Sequence, residues 1–493
     1  MKRVKPIQKQ EGRLKPALII GAVAAITGGA FLFTATQRSS RDLEAEMARL
    51  KASGAKITAE DFKPKTQSTG PLEPASYGSI KQDPYPAKDI PANAADIYNK
   101  YVDQNEDLKK EFSDVYHPVR QKNFSEWTPE EIDMIRKALD ANRGVIDDII
   151  KASFAELCDY ELDLELGPDL LLPHLGEMRH FARLLSADAL IANHDGNPER
   201  ALELCGYILN IANHLEDEPV LISQLVRIAS TNIATDTIHQ LYSEGDFSDE
   251  SIRNLNSRLE QSLNQGGFTI SFEGERYLGI DIFADIAERE FAADELWNAV
   301  NSQGHSAFSG GLRPVAYVYG SPLGSWWRNK DELVYIKMMN DLVDISKMPY
   351  YEALSELEKW KTRLNELEVE CIGPDALSRF LPLPSSYPVT KVILPALGKA
   401  LAHQARHEVR VNQAMTASHL KRYRQNYGSY PASLEALVPS YMSSLPIDSF
   451  SGNPMLYRPE GSGFVLYSVS KNLIDDNAND DYYDGDIVWR MGK

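Results

Sequence analysis

The longest apolar run lies near the start of the chain, where residues 16–36 read PALIIGAVAAITGGAFLFTAT without a single charge. At about 1.5 Å per residue, a helix of that length reaches across the roughly 30 Å hydrocarbon core of a bilayer. A cleaved signal peptide would carry a shorter apolar region and an Ala-x-Ala-like site. This run ends in Phe33, Thr34, Ala35 and Thr36, which favours an uncleaved anchor. Gly21, Ala25 and Gly29 recur every four residues, the spacing of a close helix–helix contact, although small residues are common in such anchors. Residues 40–50 continue as a short amphipathic helix with Gly54 as its stop. Pro64, Pro71, Pro74, Pro84, Pro86 and Pro91 then forbid regular helix and predict an extended spacer.

From 94 to 394 the helical period dominates. Thr128-Pro129-Glu130-Glu131 opens one helix, with Thr128 as cap and Pro129 at its first position. Residues 173–193 place Leu175, Met178, Phe181, Ala182, Leu185 and Ala189 on one face. Asn197-Pro198 restarts a second helix, so the two predict an antiparallel hairpin. The restart resembles a tetratricopeptide-type pair, but the period of about thirty-four residues is not sustained. Further helices are predicted at 219–242, 251–263, 274–300 and 332–369, with a Gly- and Ser-rich loop over 301–325. A last helix over 395–427 carries Ala405, Val409, Asn412, Thr416, Leu420, Tyr423 and Tyr427 as its packed stripe and stops at Gly428. A short helix at 433–438 follows, then strands at 455–458 and 463–468 joined by a turn at 459–462, and a final strand at 487–489. The fold class is therefore mainly α: a basic tail (1–15), a transmembrane helix (16–36), a short helix and spacer (37–93), a helical domain of antiparallel hairpins (94–394) and a small α+β module (395–493).

Charge refines this picture. Lys2, Arg3, Lys5, Lys9, Arg13 and Lys15 face only Glu11 ahead of the apolar run, although the whole chain carries −19. The positive-inside rule then puts the N-terminus in the cytoplasm and the bulk in the periplasm, an inner-membrane protein crossing once. An acidic body argues against nucleic acid as a partner. Three cysteines without a CxxC pair exclude a disulfide framework and a cysteine zinc cluster. Cys158 and Cys205 fall in adjacent elements, either as one disulfide or as buried free thiols.

Little in the helical body points to chemistry. No P-loop, GxSxG, HExxH or dinucleotide fingerprint occurs. His174, Glu177 and His180 spread over about 120° of one helix, too wide for a metal pair. The run Glu273, Glu275, Arg276, Asp281, Asp285, Glu288, Arg289 and Glu290 reads as a solvated, ion-paired face rather than a carboxylate active site. His403 and His407, with Glu408, have the one-turn spacing of a zinc pair but no third ligand, and read as exposed surface. The C-terminal loop is richer: Asp475, Asp476, Asp480, Asp481, Asp484 and Asp486, with Asn472, Asn477 and Asn479, offer the hard oxygens that Ca2+ takes. A solvated acidic loop without metal is the alternative.

Within 419–489, Tyr427, Tyr430-Pro431, Leu434, Leu437, Leu445-Pro446, Asp448, Phe450, Gly452, Pro454, Tyr457, Tyr467-Ser468 and Asp486-Ile487 stand in a recognisable order. This region resembles the C-terminal globular part of the major pseudopilin of type II secretion, in which a calcium loop closes in Asp-Ile. Ser449, Ser451 and the stretch 468–473 depart from the family pattern, and no prepilin leader precedes Pro16. The order of basic tail, anchor, helix and spacer is similar to that of many membrane-anchored bacterial proteins. The resemblance implies a pseudopilin-like module, Asp484 and Asp486 as its calcium ligands, and a protein partner in a secretion or envelope assembly. The expected function is a non-enzymatic scaffold or binding protein. The alternative is a metal-dependent periplasmic hydrolase using His403, His407 and Glu408 or the carboxylates near Glu273.

Overall fold

The computed structural model describes residues 14–63, 89–102, 106–263, 266–288, 319–367, 387–481 and 485–492; at 14–28, 30–32, 168 and 323 the backbone alone is described. The basic tail up to residue 13, most of the proline spacer, Cys371, Asp484, and the loop and helix end at 289–318 lie outside the described residues. The architecture is mainly helical with one small antiparallel sheet at the C-terminus. Its described residues fall into two compact units, one drawn from Met1–Lys56, Gly279–Met339 and Thr362–Pro395, the other from Ile57–Leu278, Asn340–Lys361 and Ala396–Lys493.

In the first unit, α1 runs unbroken from Leu14 to Ala52. Gly54 stops it at φ +75°, a conformation that costs glycine little, and the Ala55 and Gly54 amides close the last turn on the Leu50 and Lys51 carbonyls. Ser39, Glu46 and Leu50 are buried along one face. Asn329, on α11 (Ser325–Ser346), donates to Ser40 at 3.0 Å. Among the described residues no helix is long and apolar enough to cross a membrane, and nearly all side chains of 16–32 lie outside that set. Trp327, Tyr319, Tyr335 and Phe283 fill this unit's core.

The second unit begins with α2 (Ala94–Tyr98), α3 (Glu106–Tyr116), α4 (Pro129–Ala141) and α5 (Arg143–Ala152). Thr128 and Glu131 form a reciprocal capping box at α4, with bonds of 3.2 and 2.9 Å. Then come α6 (His174–His194), α7 (Pro198–Asn213) and α8 (Leu221–Glu244), mutually packed, with α9 (Asp249–Gln261) against α7. Asn197 caps α7 through the Arg200 amide, and the whole apolar face of α6 named above is buried, as the hairpin requires. Cys158 and Cys205 are free thiols, which removes the disulfide; burial pushes Cys158 up to about 12.

Several boundaries differ from expectation. The helix expected from 274 begins earlier, as α10 (Gly266–Glu288). The span expected at 332–369 is two helices, α11 and α12 (Tyr350–Glu366), because Pro349 has no amide to continue the ladder and starts the next helix through its own carbonyl. The end of the expected loop is already helical at 322–325. The last helix, α13, begins at Pro388 rather than 395 and passes through Pro395 to Tyr427. Its first amides, Val389 and Thr390, are held by the carboxylate of Asp331 on α11.

The C-terminal half of α13 packs against β1 (Leu456–Glu460), β2 (Gly463–Ser468) and β3 (Ile487–Met491), antiparallel in the order β1-β2-β3. Glu460 pairs with Gly463, so the hairpin turn is Gly461-Ser462 and Pro459 lies within β1, an edge strand that tolerates its missing amide. Gln413 donates to the Ile487 carbonyl at 2.6 Å and ties the helix to β3. Of the expected stripe on α13, Ala405, Val409, Thr416 and Leu420 are buried, while Tyr427 is exposed.

Candidate metal centre

The C-terminal loops are organised by two buried carboxylates. Asp448 accepts from the Phe450 amide at 3.0 Å, the Ser451 hydroxyl at 2.9 Å and the Ser468 hydroxyl at 2.7 Å, fixing the 445–454 turn against the end of β2. Tyr457 donates to the Pro431 carbonyl at 2.8 Å, joining β1 to the segment after α13.

Asp486 sits under the acidic loop and is 2 % exposed. One oxygen accepts from the Ala478 amide at 2.8 Å, while Oδ1 is buried without a hydrogen-bond partner of ordinary geometry. Burial, reinforced by the charges of Asp476 and Asp475, holds its pKa above the usual carboxylate range. The Asp476 amide also stabilises this carboxylate, but a buried oxygen without a well-formed hydrogen bond is costly, and a bound cation is one remedy for it. The other acids differ in setting. Asp475 is exposed and accepts from the Tyr467 hydroxyl and the Asn477 amide; Asp476 accepts from Asn472 at 2.9 Å; Asp480 and Asp481 are exposed. Positive φ at Leu473, Asn477 and Ala478 folds this loop back on itself. Among the described residues no three His, Cys, Asp or Glu side chains converge as a metal-binding group.

The remaining candidates are separated. His403 is exposed, whereas His407 and Glu408, expected at the surface, are buried. His407 Nε2 lies 3.1 Å from the Ser262 carbonyl, and burial beside Arg227 pushes its pKa down to about 4. Glu408 accepts from Ser449 at 2.7 Å and from Gln404. The helix spacing was right for a zinc pair, but the helix face turns one ring into the core. His174 contacts Glu218 at 3.0 Å and stacks on Tyr160, Glu177 pairs with Lys109, and burial lowers His180 to about 4. The charged run on α10 is not a solvated face throughout. Arg276 is buried and donates to Asn340, and Glu275 accepts from the first amide of α8.

Sequence reasoning did not single out Asp331 or Lys421. Lys421, on α13, is 3 % exposed and donates to the Tyr242 and Gly245 carbonyls at 2.9 and 2.6 Å, closing the C-terminus of α8. Each serves a helix end far away in sequence, so no local pattern marks it.

Comparison of the chain with family models, curated proteins and solved structures returns no match.

Proposed function

We propose that this chain is a membrane-anchored, extracytoplasmic binding or scaffold protein, attached through residues 16–36 and completed by a pseudopilin-like C-terminal module whose acidic loop takes Ca2+. The helical body is its contact surface, and an envelope or secretion assembly is the setting. The antiparallel sheet on the end of a long helix supports the module's architecture. The observation that carries the metal reading is the buried Oδ1 of Asp486, which makes no hydrogen bond of ordinary geometry, beneath a loop of further carboxylates. Asp486 would be the inner ligand, with Asp475, Asp476, Asp480, Asp481 and Asp484 supplying the remaining oxygens. The ion's contribution is to neutralise these charges and fix the loop.

Thermal unfolding of the full-length chain with millimolar calcium, then with excess chelator, tests this. A ligand held only by the folded state raises the midpoint; at a hundredfold excess over Kd the gain is about 2.7 kcal/mol. The rise is expected in the native chain and is expected to vanish in Asp486→Asn and to shrink in Asp480→Ala with Asp481→Ala. A midpoint indifferent to calcium in the native chain removes the metal from this reading.

A further inference from the structure

The connection between α5 and α6 alternates acid and leucine, Glu161-Leu162-Asp163-Leu164-Glu165-Leu166, before Asp169-Leu170-Leu171-Leu172. Its leucines divide into two sets. Leu162, Leu164, Leu170 and Leu172 pack with Val220 and Tyr277. Leu166 and Leu171 are 50 % and 80 % exposed. Asp163, Glu165 and Asp169 are exposed among them. No Lys or Arg occurs between Lys151 and Arg179. Single exposed leucines are ordinary, but a group of them in an acidic frame marks a contact surface.

The backbone here is fixed rather than loose. Asn93 both donates to the Asp159 carbonyl and accepts from its amide at 2.9 Å. The Ala94 amide donates to Leu157, Tyr277 donates to the Leu164 carbonyl at 3.4 Å, and Asp163 accepts from the Glu165 amide at 3.2 Å. A partner would therefore meet a surface already ordered, which lowers the entropic cost of docking. The frame already acts on a cation: the ammonium of Lys63 pairs with Glu60 at 2.5 Å, and the charges of Glu165 and Asp163 add to the rise in its pKa.

We propose that Leu166 and Leu171, framed by Asp163, Glu165 and Asp169, dock a basic amphipathic segment of a protein partner, its apolar side chains on the leucines and its Lys or Arg on the carboxylates. This rests on the reading of the helical body as a contact surface and specifies the partner's chemistry. Charge complementarity selects the occupant. A second copy of this chain, at −19, and an anionic lipid surface both bring the wrong sign.

The probe is a synthetic helical peptide of about eighteen residues, five turns, with leucines on one face and lysines on the other. It is titrated by fluorescence anisotropy into the full-length chain in zwitterionic nanodiscs, with empty discs as the blank. Saturable, salt-sensitive binding is expected. Leu166→Ser with Leu171→Ser, and separately Glu165→Gln with Asp169→Asn, should each weaken it roughly tenfold or more. Oligolysine of equal charge should bind at least about tenfold more weakly. Binding that either pair of substitutions leaves unchanged, equal binding of oligolysine, or no saturable binding overturns the surface. All four substituted side chains are exposed, so the variants should keep the native unfolding midpoint. A chain that keeps its calcium-dependent midpoint yet ignores the peptide refutes this surface alone.

Discussion

Asp331 is fully buried yet accepts four hydrogen bonds, from the Tyr319 hydroxyl at 2.7 Å, the Val389 amide at 3.1 Å, and the Thr390 amide and hydroxyl at 3.3 and 2.5 Å. Burial still outweighs them and raises its pKa to about 6; Glu332 beside it is raised to about 7 for the same reason. The folded state thus holds the Asp331 proton more tightly than the unfolded chain does. The resulting stability is fully present below about pH 4, the unfolded pKa, and is lost as pH rises through 6, a total of about 3 kcal/mol. Asp331→Ala removes this titration and leaves the first two amides of α13 unbonded, at about 1–3 kcal/mol each. The substitution should therefore destabilise the chain at both ends of the range and cost more at pH 4 than at pH 7. Denaturant unfolding of both proteins at the two pH values measures it, and a cost that grows with pH would count against the protonation assigned to Asp331.

At the scale of helices, α12 and α13 approach through a glycine. A Cβ on Gly398 would meet the Trp360 ring at 2.6 Å, and Trp360 is itself buried. Alanine is the better helix former by about 1 kcal/mol, so Gly398→Ala sets propensity against packing. The ring is rigid and enclosed, and overpacking costs about 1–3 kcal/mol, so a net loss of stability and a lower melting temperature are expected. An unchanged or raised melting temperature would mean that the indole moves aside. The same contrast between local and distant causes separates what the sequence reveals from what it hides. The α6–α7 hairpin was legible because its cap, its proline and its apolar face all lie within one stretch of chain. The start of α13 was not. Proline preference points to Pro395, whereas the amides of Val389 and Thr390 are satisfied by a carboxylate some sixty residues earlier. His407 escaped for a related reason: spacing places it one turn from His403, but the α13 face that is buried is decided by Ser262 and Arg227 on other elements. Asp486 was legible as an acid in an acidic loop, while its burial, which sets it apart from Asp480 and Asp481, goes with the loop folding back so that the Ala478 amide bonds its carboxylate and its own amide bonds the Asn479 carbonyl.

For the molecule as a whole, the proposed anchor and the outer part share one helix. The 39 residues of α1 extend about 58 Å at the usual rise, of which residues 16–36 take about 31 Å, close to the thickness of a bilayer core. The remainder is a packed element rather than a free tether, since Ser39, Glu46 and Leu50 are buried and Asn329 holds Ser40. Removing residues 1–36 should detach the protein from the membrane and keep the Asn329–Ser40 bond, at the loss of the bond from the Ser39 hydroxyl to the Thr36 carbonyl. The full-length chain should stay with membranes through an alkaline carbonate wash, and the shortened chain should appear in the soluble fraction with its unfolding midpoint within a few degrees. If the basic residues ahead of the apolar run orient the proposed anchor, protease added outside the inner membrane should cut the outer part while the tail stays protected. Release of the full-length chain by carbonate would rule out a spanning helix and leave residues 16–36 to be explained as a buried helix of the first unit. If the chain resists carbonate but its outer part is shielded from the protease, the anchor survives and its orientation is reversed.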